Sequence, residues 1–311
     1  MRFELTILGC NAAIPAYDRH PSAQVLNVHE QLFLIDCGEG TQIQMNRYRI
    51  RRSRIQQIFI SHLHGDHIFG LIGLLTSYSL SGRTEPLTIF SPAGLEEIIQ
   101  VQLQHTGGVL AYPLNFELVD CATYTLIFAN KTLEVYAFPL RHRIPTSGYL
   151  FREKPRLLNI IPEQIQKYQI PIADIPKIKA GEDYVNEAGR VIANAELTLA
   201  PAIPRSYAYC SDTIYDESLV SILREVDLLY HETTFCHDKV EQAIQTMHTT
   251  AKQAAQLAQK AGVGRLITGH YSSRYPDLTV ILTEAQAVFE RTVLGLEGKS
   301  YPVAARRRSV S

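Results

Sequence analysis

The sequence predicts an α/β layered fold, and three observations carry that expectation. Short apolar runs of strand length recur along the chain with turn residues between them. Helical segments separate several of these runs, an alternation that builds sheets covered by helices. Coordinating residues stand directly after some of the runs, where the strands of such sheets end.

The elements follow in order. "FELTILG" opens the chain as a strand, and "AQVLNVHEQLFLIDCG" reads as a hairpin with His29 and Glu30 near its turn. "IQQIFIS", "PLTIFSP" and "LEVYAFPL" continue the series, and "SYAYCSD", "VDLLYHE" and "RLITGH" complete it. Helices are expected between them over 69–78, 94–105 and 216–226. The clearest helix lies in "TTAKQAAQLAQKAG": Thr250 can cap it, Gln253 completes a capping box and Gly262 ends it. The stretch 152–204 differs, being weakly periodic and rich in Pro, Lys and Asp. A long segment of this kind inside a compact domain is usually functional or disordered. It is read as an inserted, flexible arm projecting from a single domain over 1–311, with a mobile basic tail, "AARRRSVS", at 304–311.

The bulk properties exclude several classes. With 311 residues, 46% of them hydrophobic, the chain can bury a substantial core. A formal charge of −1 gives no global attraction to nucleic acid, so any such contact must come from local patches. The N-terminus reads as a strand and not as a signal peptide, and no run of roughly 18 apolar residues predicts a membrane span. The five cysteines are scattered and read as reduced thiols of a cytosolic protein. None has zinc-finger spacing, so a metal must be held by His and carboxylates.

"FISHLHGDHIFG" supplies them: His62, His64, Asp66 and His67 crowd into one loop straight after an apolar run. His142, Asp212 and His270 each follow another such run. Side chains at the carboxyl ends of neighbouring strands converge on one sheet edge. Seven ligands are too many for one tetrahedral zinc, which takes about four. They suit two cations about 3.5–4 Å apart that share a carboxylate and activate water at a phosphoryl group. The imidazole and carboxylate mixture suits Zn2+, with Mn2+ or Fe2+ possible.

"HLHGDH" resembles the signature of the metallo-β-lactamase superfamily. "FLIDCGEGTQ", "HGDHIFGLIGLL", "YCSDT", "HETTF", "MHTTAKQAA" and "GHYSSRY", in this order, resemble its ribonuclease Z (tRNase Z) family in the short form, and "GCNAAIPAYDRHPSA" fits that family's first loop. The resemblance covers nearly the whole chain. It implies an αββα sandwich with a protruding arm and two Zn2+ per subunit. His62, His64 and His142 would hold the first ion, Asp66, His67 and His270 the second, and Asp212 would bridge them. Asp66 would also help deprotonate the attacking water. Asp36 would orient the histidine loop from behind. His248 would protonate the departing 3′-oxygen, held by Glu232. Arg274 would bind phosphate, and Lys177 and Lys179 on the arm would bind the substrate's elbow. The arm departs from the family pattern, reading "IPIADIPKIKAGE" where a Gly-Pro motif is usual. Arg47, Arg49, Arg51, Arg52 and Arg54 form a basic run that is either an RNA contact or a solvated face.

The implied activity is removal of the 3′ trailer from precursor tRNA, leaving a 3′-hydroxyl on the tRNA and a 5′-phosphate on the trailer. The implied protein is a cytoplasmic homodimer with no membrane attachment, in which the arm of one subunit serves the other's site. The alternative is a general metallo-phosphodiesterase or arylsulfatase-like hydrolase on the same scaffold.

Overall fold

The hairpin expected at His29 and Glu30 is present. Both residues take left-handed φ angles, 51° and 71°, as a two-residue turn matched to strand twist requires. It joins Ala23–Val28 to Gln31–Ile35 within a seven-stranded sheet. In spatial order that sheet runs Ser300–Pro302, Phe3–Gly9, Ala23–Val28, Gln31–Ile35, Ile55–Phe59, Leu87–Ser91 and Leu114–Leu118. The last four strands are parallel. Parallel neighbours need crossovers, and helices Leu71–Leu80 and Leu95–Thr106 supply two of them. The computed structural model describes residues 1–305; the expected basic tail therefore lies, from Arg306 onward, outside the described residues.

A second seven-stranded sheet runs Thr292–Leu294, Arg265–Gly269, Leu228–Glu232, Ser206–Cys210, Thr146–Glu153, Leu133–Leu140 and Thr125–Ala129. Its first four strands are parallel. The sheets meet face to face through aromatic rings: Phe59 lies 5.3 Å from Phe151 and 5.4 Å from Tyr149, and Phe33 lies 5.9 Å from Phe151. Burial of each such ring stabilises by about 1.5–3 kcal/mol. The alternate residues Leu34 and Ile58 face outward into a second core with Leu71, Leu74 and Leu75 of the covering helix. On the other sheet, helix Ala251–Lys260 buries Ala251, Ala254, Ala255, Leu257 and Ala258. Its predicted capping box is formed by Thr250 and Gln253. Helices therefore cover both outer faces, which is the αββα arrangement.

Some elements differ from expectation. The helix placed over 69–78 runs Leu71–Leu80, because Phe69 closes the preceding one-turn helix Gly65–Ile68. Only Leu219–Ile222 of 216–226 is helical, and Glu225 turns out of it with a φ of 57°.

The segment after Arg152 forms a separate compact unit, 153–204 together with 131–133. It pairs Asn159–Ile160 with Thr198–Leu199 and Tyr184–Val185 with Val191–Ile192. Ile170, Ile178, Tyr184, Ile192 and Leu197 make a small core of its own. Lys177 and Lys179 lie on helix Ile175–Ala180, which Gly181 ends at a φ of 109°. Lys177 is exposed and pairs with Asp174 at 3.7 Å.

Candidate active site

Parallel strands of both sheets end at one place, and the coordinating residues lie just past those ends. Asp36 follows Gln31–Ile35, His62 follows Ile55–Phe59, Asp212 follows Ser206–Cys210 and His270 follows Arg265–Gly269. Asp36 and His270 both take left-handed φ angles, 54° and 55°. Such backbone is uncommon outside glycine and persists where its surroundings hold it. Gly38 and Gly70 let the Asp36 loop and the His67 helix touch. A β-carbon at Gly70 would collide with the Gly38 carbonyl oxygen, and one at Gly38 with the Asp66 carbonyl oxygen.

The seven residues form two groups. Ligand atoms of His62, His64, His142 and Asp212 lie within 4.8 Å of one another, and so do those of Asp66, His67 and His270. The Asp212 carboxylate faces both. Its Oδ2 is 3.7 Å from His62 Nε2 and 3.8 Å from His142 Nε2; its Oδ1 is 3.5 Å from His67 Nε2 and 3.2 Å from His270 Nε2. His67 Nε2, His142 Nε2 and Asp212 Oδ1 are buried without a hydrogen-bond partner. Buried polar atoms are almost always satisfied, and imidazole nitrogens turned on a carboxylate have the chemistry of a divalent-cation site. The residues present therefore fit such a group.

The other ring nitrogens are held from behind. Asp36, fully buried, accepts from the Ser61 N–H at 2.7 Å, the Ser61 hydroxyl at 2.8 Å, the Tyr209 hydroxyl at 2.6 Å and His67 Nδ1 at 2.7 Å. Ser61 Oγ also lies 3.0 Å from His62 Nδ1 and 3.0 Å from Ser211 Oγ. His142 Nδ1 donates to the Met247 carbonyl at 2.9 Å, and Thr234 Oγ1 lies 3.0 Å from His270 Nδ1. Such contacts fix ring orientation and turn Nε2 inward, where His62 Nε2 lies 2.9 Å from His64 Nδ1 and His270 Nε2 lies 3.4 Å from Asp66 Oδ2. Ser61, Ser211, Thr234 and Tyr209 were not legible as part of the site; their neighbours in "IFISH", "YCSDT" and "HETT" were the only signal.

The charges divide unevenly. Burial pushes His62 and His142 down, so these imidazoles are neutral. Burial acts on His67 in the same sense, but Asp66, Asp212 and Asp36 outweigh it and hold it protonated well above its ordinary value. Burial would raise Asp66 and Asp212. The surrounding histidines win in both cases, chiefly His67 at Asp66 and His270 at Asp212, and keep both carboxylates ionised. The Ala13 N–H, in a loop with φ 61°, donates to Asp66 Oδ2 at 2.8 Å.

His248 and Glu232 form a second device beside these groups. From its own residues His248 reads as a solvent-facing side chain at a helix start; it is in fact 8% exposed. Its Nδ1 lies 2.8 Å from Glu232 Oε1, and its ring centroid 5.0 Å from that of His142 and 5.5 Å from that of His270. Glu232 also accepts from the Thr213, Thr234 and Thr249 amides and the Thr234 hydroxyl. Burial alone would lower His248, but Glu232 and then Asp212 outweigh it and lift the imidazole to about 9. It therefore holds its proton through the neutral range. Glu232→Gln removes the main opposing charge, so the folded-state value of His248 falls. If His248 acts as an acid, the alkaline limb of kcat, near pH 9 in the unaltered protein, is expected to move toward neutrality. A pH–rate profile reads this directly, and an unmoved limb excludes His248 as the titrating acid.

The cleft holding these groups has a volume of about 500 Å³, and Arg274 lines it. Arg274 Nη1 donates to Ser272 Oγ at 3.2 Å, and its guanidinium lies 5.8 Å from the Phe235 ring centre. Of the basic run, Arg49, Arg51 and Arg54 line a different cavity of about 360 Å³ with Arg2 and Glu30. Arg54 pairs there with Glu30 at 3.2 Å, so that run does not join the cleft. Lys177 and Lys179 belong to the separate unit.

A family model described as anti-Pycsar protein Apyc1 matches residues 3–116, about a third of the chain. Ribonuclease Z of Bacteroides fragilis is 46% identical over 296 residues, covering 95% of this chain and 97% of that one. Ribonuclease Z of Cytophaga hutchinsonii is 45% identical and covers 98% of each. Among solved structures, the short form of human tRNase Z superposes with a TM-score of 0.69 at 26% identity, over 97% of this chain and 100% of that one. The metallo-β-lactamase fold protein YhfI from Bacillus subtilis gives a TM-score of 0.68 at 18% identity, over 96% and 98%, and yeast PDE1 gives 0.60 at 15%, over 97% and 99%; these two share the fold.

Proposed function

The chain belongs to the ribonuclease Z family, and on that premise we propose that it is a metal-dependent endoribonuclease that removes the 3′ trailer from precursor tRNA. The observation that carries the reading is the pairing of two ligand groups across Asp212 with a protonated His248 beside them. A general phosphodiesterase has support only from the shared fold.

We assign the first cation position to His62, His64 and His142, the second to Asp66, His67 and His270, and the bridge to Asp212. The donor set suits zinc. Two cations there would supply charge for the phosphoryl oxygens and a more acidic water. The chain's own residues do the rest. Asp66, held ionised, takes the proton of the attacking water. Arg274 holds a phosphate oxygen. His248 gives its proton to the departing 3′-oxygen, and Glu232 keeps that proton available and the ring in place. The tRNA leaves with a 3′-hydroxyl and the trailer with a 5′-phosphate. The test is a 3′-extended tRNA transcript incubated with zinc-loaded protein and both product ends mapped. A 2′,3′-cyclic phosphate or cleavage at scattered positions would overturn the reading.

The compartment is read as the cytoplasm: all five cysteines are free thiols, and no helix among the described residues is long and apolar enough to cross a membrane. The short-form resemblance supports a homodimer in which the 153–204 unit of one subunit serves the other's cleft. That unit carries Lys177 and Lys179 on a helix within its own small core. A deletion must respect the pairing of Asn159–Ile160 with Thr198–Leu199, so 155–202 should be replaced by a short Gly/Ser linker. The expected result is a raised KM for precursor tRNA with a shallower salt dependence, because each lost phosphate contact flattens the slope by about 0.9 on duplexes. Hydrolysis of bis(p-nitrophenyl) phosphate should persist. Unchanged tRNA affinity would show that this unit is not an exosite.

A further inference from the structure

A second cavity, about 680 Å³ in volume, adjoins the cleft. Its wall is mainly apolar, with Leu118, Cys121, Leu140, Ile144 and Pro145, and His142 stands at its edge. Its acidic residue, Asp120, is engaged by its own loop, accepting from the Ala122 N–H and the Thr123 hydroxyl. Arg143 lines both this cavity and the cleft. It is exposed, and among the described residues its guanidinium makes no hydrogen bond or ion pair. Its charge reaches both His64 and His248. A guanidinium held at the saddle between two cavities, with its fork of donors unused, is suited to a phosphate.

Direction follows from the chemistry. Displacement at phosphorus puts the attacking and departing oxygens in line. On the reading above, the departing 3′-oxygen belongs to the tRNA and is placed at His248. Gln242 and Thr246, which neighbour His248, line the cleft and not the second cavity. The tRNA strand therefore occupies the cleft. The 5′-oxygen of the trailer lies off that line, and the cavity that shares Arg143 with the cleft is the space the tRNA strand leaves free. We propose that Arg143 binds the phosphate immediately 3′ of the one being cleaved, and that the cavity beside it receives the first trailer nucleotides. Arg143 is thus a substrate-positioning residue for the trailer, the strand that keeps the phosphate. This rests on the ribonuclease reading above.

Precursor tRNAs with trailers of one and of two nucleotides, both ending in a 3′-hydroxyl, test it. The shorter trailer has no phosphate beyond the scissile one; the longer has one. The unaltered protein is expected to favour the longer by about tenfold in kcat/KM, carried by KM, as one charge-assisted contact supplies. Arg143→Ala should erase that preference, and Arg143→Lys should restore part of it. A methylphosphonate at the second phosphate should lower the unaltered protein's kcat/KM and leave that of Arg143→Ala where it is. Zinc content and melting temperature of both variants show that they are folded. Retention of the preference in Arg143→Ala overturns the proposal, and so does an equal loss on both trailers, which would place Arg143 at the scissile phosphate. Failure of the unaltered protein to cut either substrate sinks the ribonuclease reading itself.

Discussion

Replacement of Asp212 by alanine is expected to abolish precursor cleavage and to lower bound metal together. The two oxygens of this carboxylate face different ligand groups, at 3.7 and 3.8 Å on one side and 3.5 and 3.2 Å on the other. No other side chain reaches between them in that way among the described residues. Substitution of groups that merely support a ligand typically lowers affinity or activity by about 10–100-fold, so loss of the shared ligand should exceed that. Zinc per subunit, measured after desalting, and single-turnover cleavage are the readouts. A variant that keeps two ions and ordinary turnover would show that the groups do not act as one site.

Replacement of His248 by alanine should give a different signature: metal retained, precursor bound, and the rate reduced by the factor of about 10²–10⁴ that general acid catalysis contributes. The Nδ1 of His248 is taken by Glu232, and although its ring also comes within 4.8 Å of ligand atoms of Asp212 and His270, neither assigned ligand group includes it. The ligand groups should therefore survive. A substrate with a good leaving group needs little protonation, so bis(p-nitrophenyl) phosphate should lose far less than precursor tRNA. Equal losses on the two substrates would instead assign His248 to positioning.

The site was legible where chemistry and spacing coincide. Three histidines and an aspartate within six residues of a strand end have few purely structural uses, and the capping box of Thr250 and Gln253 announces its helix. The orienting layer was not legible. A serine after a strand and a threonine in "HETT" are ordinary residues; Ser61 and Thr234 acquire meaning only because each lies between two titratable side chains of distant sequence. Arg143 was missed for a similar reason, since only the cavities on either side distinguish it from any exposed arginine. Among the strands, Thr146–Glu153 escaped notice because it is buried on both faces and shows no alternation, and Leu114–Leu118 because it is a largely exposed edge. The core of the 153–204 unit rests on five side chains spread over many proline-punctuated residues, too sparse for periodicity to register.

The ligands come from both sheets: positions 62 to 67 from one, and 142, 212 and 270 from the other. In an unfolded chain these positions are far apart, and closing such loops carries an entropy cost that a single ion contact does not offset. The complete set of ligand positions is therefore assembled only when the two sheets stack. The sheets must first stack through Phe33, Phe59, Tyr149 and Phe151, and only then does a site exist. An ion bound there would stabilise the native state by mass action, in proportion to the logarithm of its free concentration. Topology thus ties the site to the stacking of the two sheets, so that a core substitution at Phe59 or Phe151 would be felt at the ligand positions.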